Sequence, residues 1–155
     1  MAEAAQSAEI SQWVTFKLGD ETYGVNVMQV QEVLRVSEIA PVPGAPAYVL
    51  GIINLRGNVV SVLDTRLRFE LPQKDNDDAT RIIIIELESQ TIGILVDSVA
   101  EVEDVRSDEI ETAPSVGNEE SSRYIAGVVS REHGLLILVD VRWLLDEQEW
   151  QDIDS

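Results

Sequence analysis

The sequence predicts an all-β protein made of two small five-stranded barrels packed together, and three observations carry that prediction. First, the chain repeats itself. Glu21-Thr22-Tyr23-Gly24-Val25-Asn26-Val27, followed by Val30, Glu32 and Val33, returns sixty-nine positions later as Gln90-Thr91-Ile92-Gly93-Ile94-Leu95-Val96, followed by Val99, Glu101 and Val102. Tyr48, Gly51, Ile52, Ile53, Asp64 and Arg66 return seventy-six positions on as Tyr124, Gly127, Val128, Val129, Asp140 and Arg142. Second, the apolar residues are mostly Val, Ile and Leu with few aromatics, a composition that favours strands. Third, each copy contains five short strand patterns separated by turn chemistry, and small five-stranded sheets commonly close on themselves to remove exposed edges. What recurs is apolar alternation punctuated by glycine, with no catalytic residue type at matching places.

The elements follow in order. In residues 12–18, Val14, Phe16 and Leu18 alternate with Thr15 and Lys17, the pattern of a half-buried strand. Gly19-Asp20-Glu21 turns the chain, and residues 22–27 return as a second strand. Val27, Val30 and Leu34, with Val30 and Val33, stand at helical spacing, which predicts about one helical turn before a strand over 33–39. Pro41-Val42-Pro43-Gly44 stops that strand, because proline removes backbone donors and glycine permits a tight bend. Residues 51–55 and 59–63 flank Arg56-Gly57-Asn58 and predict a hairpin; 67–71 closes the first copy, and 73–80 is an acidic connection.

The second copy opens on Ile82-Ile83-Ile84-Ile85, consistent with a strand buried on both faces. Residues 88–90 turn into a strand over 91–96. A helical turn over 97–101 and a strand over 102–106 repeat the earlier pattern. A polar loop over 112–122 is seven residues longer than its counterpart. A last hairpin, 127–131 with 135–139, surrounds Glu132-His133-Gly134, and 141–151 reads as an amphipathic C-terminal helix containing Trp143, Leu144 and Leu145. The expected division is a flexible N-terminal tail (1–11), a first barrel (12–80), a second barrel (81–145) and the end of the helix with an acidic tail (146–155). Exchange of strands between the barrels is left open.

The 155 residues, 45% of them hydrophobic, suffice for a substantial core. No apolar run approaches the ~18 residues of a membrane span, and residues 1–11 lack the basic and apolar regions of a secretory signal. The chain has no cysteine, which excludes disulfides and thiolate chemistry and is compatible with a reducing cytosol. Its net charge of −18 repels nucleic acid and anionic lipid and directs attention to protein partners with basic or apolar patches.

The sequence offers little catalytic chemistry. His133, the single histidine, lies in a predicted turn and reads as solvated. Asp75-Asn76-Asp77 with Glu86 only faintly resembles a calcium loop, because Thr80 stands where glycine is required. Asp64 and Asp140 each follow an apolar strand and precede a helical turn, so helix capping explains them. Trp13 and Trp150 read as covers for the flanks of the core. Arg56, at a hairpin tip, has two readings: a side chain that reaches a partner, or one paired internally with Glu32. Val30, Val33, Val99 and Val102 are equivalent positions that read either as core or as the lining of an apolar groove suited to an amphipathic helix.

Gly51-Ile52-Ile53-Asn54-Leu55-Arg56-Gly57-Asn58-Val59-Val60, followed by Val62-Leu63-Asp64-Thr65-Arg66, resembles the signature of the CheW family of bacterial chemotaxis coupling proteins. Phe16-x-Leu18-Gly19-Asp20-Glu21-x-Tyr23-Gly24-Val25, Val30-Gln31-Glu32-Val33 and Gly93-Ile94-Leu95-Val96-Asp97-x-Val99 extend the resemblance over residues 12–145. The resemblance implies two SH3-like barrels and a non-enzymatic adaptor without cofactor or metal. Such an adaptor is cytoplasmic and recruited to membrane-associated arrays. It couples chemoreceptor cytoplasmic hairpin tips to the regulatory domain of the histidine kinase CheA. It also implies receptor contacts at Val30, Glu32, Arg56, Val99 and Val102, and kinase contacts at Val36, Ile39, Val42, Gly51 and Asn58. Service in a non-motility chemosensory pathway, or an enzyme using Asp64, Asp140 or His133, are the alternatives.

Overall fold

The computed structural model describes residues 9–36, 38–69, 71–72, 74–87, 90–111, 125–132 and 134–143. Ten strands run through them: β1 (Ile10–Leu18), β2 (Glu21–Asn26), β3 (Val30–Arg35), β4 (Val49–Leu55), β5 (Asn58–Asp64), β6 (Arg81–Leu87), β7 (Gln90–Val96), β8 (Ser98–Arg106), β9 (Ile125–Arg131) and β10 (Gly134–Val139). Helical structure among the described residues is limited to one α turn, α1 (Thr65–Arg68), and 3-10 turns at Val27–Gln29, Ser107–Glu109 and Val141–Trp143. His133, the loop over 112–122 and residues 144–155 of the expected C-terminal helix and tail lie outside the described residues.

The strands form two five-stranded sheets, β8-β1-β2-β10-β9 (barrel A) and β3-β6-β7-β5-β4 (barrel B). Each sheet draws strands from both copies of the repeat. Barrel A combines β1 and β2 of the first copy with β8, β9 and β10 of the second, and barrel B does the converse. The residue spans 12–80 and 81–145 thus mark the repeat in the sequence, while the sheets exchange β1–β2 for β6–β7. Both sheets then have the same internal order. Even the parallel pairings match: Leu138 lies opposite Gly24 and Val62 opposite Gly93, in positions related by the two offsets of the repeat.

Each sheet is closed by one further bridge. Ala40 and Ile52 exchange two backbone hydrogen bonds of 2.9 Å, and Glu111 and Val128 exchange bonds of 2.8 and 2.9 Å. The repeated glycines stand beside these bridges. A Cβ on Gly51 would lie 2.4 Å from the Ala40 carbonyl oxygen, and one on Gly127 would lie 2.5 Å from Ile110 Cγ2. Only glycine lets the crossing chain approach so closely.

The expected helical turns are corrected. The first shrinks to Val27–Gln29, with Val30 already in β3, and at the second the chain passes from Asp97 directly into β8. The spacing of three has another cause, a bulge in each strand. The register of β3 on β6 shifts between Val30 and Glu32, and that of β8 on β1 shifts between Val14 and Phe16. An extra residue in a strand returns position i+3 to the face of position i. Val30 and Val33 accordingly lie opposite Ile85 and Ile83, and Val99 and Val102 opposite Phe16 and Val14.

Three apolar clusters among the described residues hold the fold. Ile82 and Ile84 join Ile53, Val60, Val62 and Leu95 inside barrel B, while Trp13, Val105, Val129, Leu136 and Leu138 fill barrel A. Ile83 and Ile85 point the other way, into a larger cluster with Phe16, Leu18, Tyr23, Val25 and Val139 from barrel A. The isoleucine run is therefore buried on both faces, one face within its barrel and the other between barrels. The outer strand β8 shows solvent Glu101 and Asp104, charges that discourage pairing of this edge with another sheet.

Candidate docking surfaces

Strands β4 and β5 meet at a two-residue turn, with Leu55 opposite Asn58. Arg56 has φ +51° and Gly57 φ +90°, the backbone of a type I′ hairpin. A left-handed arginine is an uncommon choice that costs of order 1 kcal/mol. Two contacts hold it: Asn54 Oδ1 accepts from the Gly57 amide at 2.9 Å, and the guanidinium grips both carboxylate oxygens of Glu32 on β3, Nη1 donating to Oε1 at 3.2 Å. The Arg56 hydrogen bond keeps the Glu32 carboxyl below its ordinary pKa, and Glu32 in turn raises that of Arg56. The internal pair is present, yet 65% of the Arg56 side chain stays exposed. The internal reading of Arg56 is met, and the exposed remainder keeps its charge at the surface.

The expected receptor residues fall into two groups, Glu32 with Arg56 on one side of β3 and the valines of β3 and β8 on the other. Glu32, opposite Ile84, meets Arg56 at the rim of barrel B. The valines lie on the other face, toward the seam. Val30 and Val99 are half-buried against the cluster shared by the barrels, whereas Val33 and Val102 are 39% and 50% exposed. Neither pure core nor pure surface describes them: the inner pair anchors the seam and the outer pair remains open. Val33 belongs with this set, and its repeat partner Val102 is the signal that identifies it.

The expected kinase residues are also separated. Ile39 lines a groove of about 560 Å³ with Ala40, Pro41, Ile52, Asn54 and Val59. Val36 is half-buried against the barrel B core, and Val42 is 38% exposed. Gly51 is buried beneath Ala40, so it shapes this surface without forming it, because the close crossing leaves no room for contact. Asn58 faces a different cavity, about 430 Å³, with Gln31, Arg56, Ser61, Glu86 and Thr91. Val59, 67% exposed, and Ile52 are groove residues missed in the sequence; their place in the hairpin next to Gly51 is the available clue.

The carboxylates considered for catalysis have structural roles. Asp64 caps α1 by accepting from the Leu67 amide at 3.0 Å, and Asp140 accepts from the Arg142 amide at 3.1 Å and from its guanidinium Nη2 at 2.8 Å. Asp77 accepts from the Ala79 amide at 2.8 Å in a local turn, while Glu86 stands in β6. Among the described residues no cluster of acidic or histidine side chains is arranged to hold a metal ion. None of their helices is long and apolar enough to cross a membrane.

Comparison with known proteins agrees with this architecture. The family model described as a CheW-like domain matches residues 12–149. The chemotaxis protein CheW of Treponema pallidum is 33% identical over 153 residues, covering 96% of this chain and 90% of its own. That of Bacillus subtilis is 35% identical over 138 residues, covering 89% and 88%. The crystal structure of the scaffolding protein TtCheW from Thermoanaerobacter tengcongensis superposes with a TM-score of 0.82 at 30% identity, over 91% of both chains. With its two SH3-like barrels and this match over nearly its whole length, the chain belongs to the CheW-like family.

Proposed function

We propose that this protein is a non-enzymatic adaptor of a chemotaxis array, holding the cytoplasmic hairpin tip of a chemoreceptor and the regulatory domain of the histidine kinase CheA at the same time. The observation that supports this reading best is the placement of Val30, Val33, Val99 and Val102. Matching bulges turn all four toward the seam, and two are left open, a surface suited to the apolar stripe of a helix. Arg56 with Glu32 supplies a charged pair at the adjoining rim, where it would fix orientation more than affinity. The apolar groove of Ile39, Ile52 and Val59 is the second docking surface, assigned to the kinase domain.

Two simultaneous contacts act by geometry. Tethering raises the effective concentration of kinase at the receptor, and a shift in receptor conformation then biases the kinase. Titration of the purified protein with a receptor tip fragment and with the kinase regulatory domain tests the reading. Saturable binding of each, without competition between them, is the expected result; binding of neither overturns it. Val102→Asp is expected to weaken the receptor fragment by about tenfold while the protein stays folded, and Val59→Asp to do the same for the kinase domain.

A further inference from the structure

The chain crosses between barrels at two pseudo-equivalent places, and they differ sharply. One is the link from β7 to β8, occupied by Asp97. Its carboxylate is buried, and one oxygen accepts from the Gly19 amide of the β1–β2 turn at 2.7 Å, while its own amide donates to the Lys17 carbonyl at 2.9 Å. Both partners belong to barrel A. The other carboxylate oxygen takes a hydrogen bond from Arg66 of α1, which follows β5 of barrel B. Arg66 is also buried, and its second terminal nitrogen donates to the Lys74 carbonyl at 2.7 Å. A single polar chain thus runs from Lys74 through Arg66 and Asp97 to Gly19, joining the barrels.

The other crossing is Val27–Gln29, between β2 and β3. Met28 stands sixty-nine positions before Asp97 and is 88% exposed. Arg142, the repeat partner of Arg66, turns to its neighbour Asp140. Met28 offers no carboxylate there, and a cleft of about 390 Å³ lies beside it, lined by Met28 and Gln29 of the crossing and by Trp13, Asn26, Asp140 and Arg142 on the barrel A side.

We infer that Arg66 and Asp97 are positioning residues, a one-sided latch that sets the angle between the barrels and hence the opening of the valine seam. The apolar cluster between the barrels supplies attraction, but hydrophobic burial is non-directional and tolerates small rotations. Directed hydrogen bonds to buried charges do not. Replacement of a buried ion pair by apolar residues often leaves stability unchanged or improved, so net stability is not the role assigned to this pair; its bonds run in fixed directions from barrel B to barrel A. Motion about a fixed Asp97 side would open or close the Met28 side.

The absence of cysteine makes the test direct, because spin labels can be placed at Val59→Cys in barrel B and Leu135→Cys in barrel A, both exposed. Dipolar spectroscopy on the isolated protein then reads the distance between barrels, independently of whether the adaptor reading holds. In Arg66→Met/Asp97→Met the expected result is a distance distribution about twofold broader or displaced. Asp140→Asn at the other crossing should leave the distribution unchanged. An unaltered distribution in the double variant overturns the inference. Should that variant not fold, Arg66→Lys keeps the charge but loses the fork that bridges Asp97 and Lys74, and it must give the same broadening.

Discussion

The two hairpins that close the barrels are the same element built twice, and each is tied down by an arginine, but not by the same arginine. In barrel B the tie is Arg56, at the very tip, holding Glu32 alone and remaining largely exposed. In barrel A the tie is Arg131, the last residue of β9, one step before the tip. It is 19% exposed and donates to Glu103 at 3.1 Å, Glu109 at 2.9 Å and the Asp104 carbonyl at 3.0 Å. Arg131 fastens its hairpin onto the edge strand β8. Arg56 fastens its hairpin only loosely and keeps its charge at the surface. Two copies of one fold can thus diverge: one spends its arginine on structure, the other presents it.

The latch offers the strongest contrast to break. Asp97→Ala leaves the Arg66 guanidinium buried without its counter-charge, and about 3–5 kcal/mol of stability should be lost. Asp140→Ala, which removes a cap beside the exposed Arg142, should cost about 1 kcal/mol. Denaturant titration of the two variants measures the difference, and equal costs would erase the asymmetry between the crossings.

The glycines come next. Gly51→Ala pushes a methyl into the backbone oxygen of Ala40, which cannot yield without moving the bridge to Ile52. Gly127→Ala meets chiefly the side chain of Ile110, which can rotate. A loss of about 2–3 kcal/mol is expected for the first and about 1 kcal/mol for the second, read from thermal midpoints.

The hairpin arginines come last, because Arg56 gives the smallest stability effect of all. Arg131→Ala should lower stability by about 1–2 kcal/mol through its three lost bonds. Arg56→Ala should leave the thermal midpoint nearly unchanged while weakening partner binding; a loss of stability with intact binding would make the two hairpins alike. A proton titration sharpens the point. Hydrogen bonding holds the carboxyls of Glu32 and Glu109 below their ordinary pKa, from Arg56 for the first and chiefly from the Arg106 amide for the second. Carboxylates with a lowered folded pKa contribute stability above their unfolded pKa and lose it as pH falls through the folded one. In Arg56→Ala the Glu32 titration, followed by carboxyl NMR, should therefore rise toward the ordinary glutamate value while that of Glu109 stays in place.

Much of this molecule was legible as sequence. Hairpin turns, the doubly buried Ile82–Ile85 run, the caps at Asp64 and Asp140 and the two-barrel class all rest on local chemistry or on period, and both are written along the chain. The Arg56–Glu32 pair was one of two open readings. The valine seam was visible only as a choice between core and groove, because spacing alone cannot tell a helical turn from a strand with one extra residue. Cross-strand register made that distinction, by setting Val30 and Val33 opposite Ile85 and Ile83.

The sequence by itself determined that there would be two similar β units with a shared apolar surface, since repetition, glycine placement and alternation are properties of neighbours in the chain. Tertiary structure alone decided which strands belong to which barrel, and which residues meet across the crossings. Residues 22–27 and 91–96 carry nearly the same pattern, so either could lie beside β5 or β10 as far as local preference is concerned. Only the packed core and the buried meeting of Arg66 with Asp97, thirty-one positions apart in the chain, separate those arrangements.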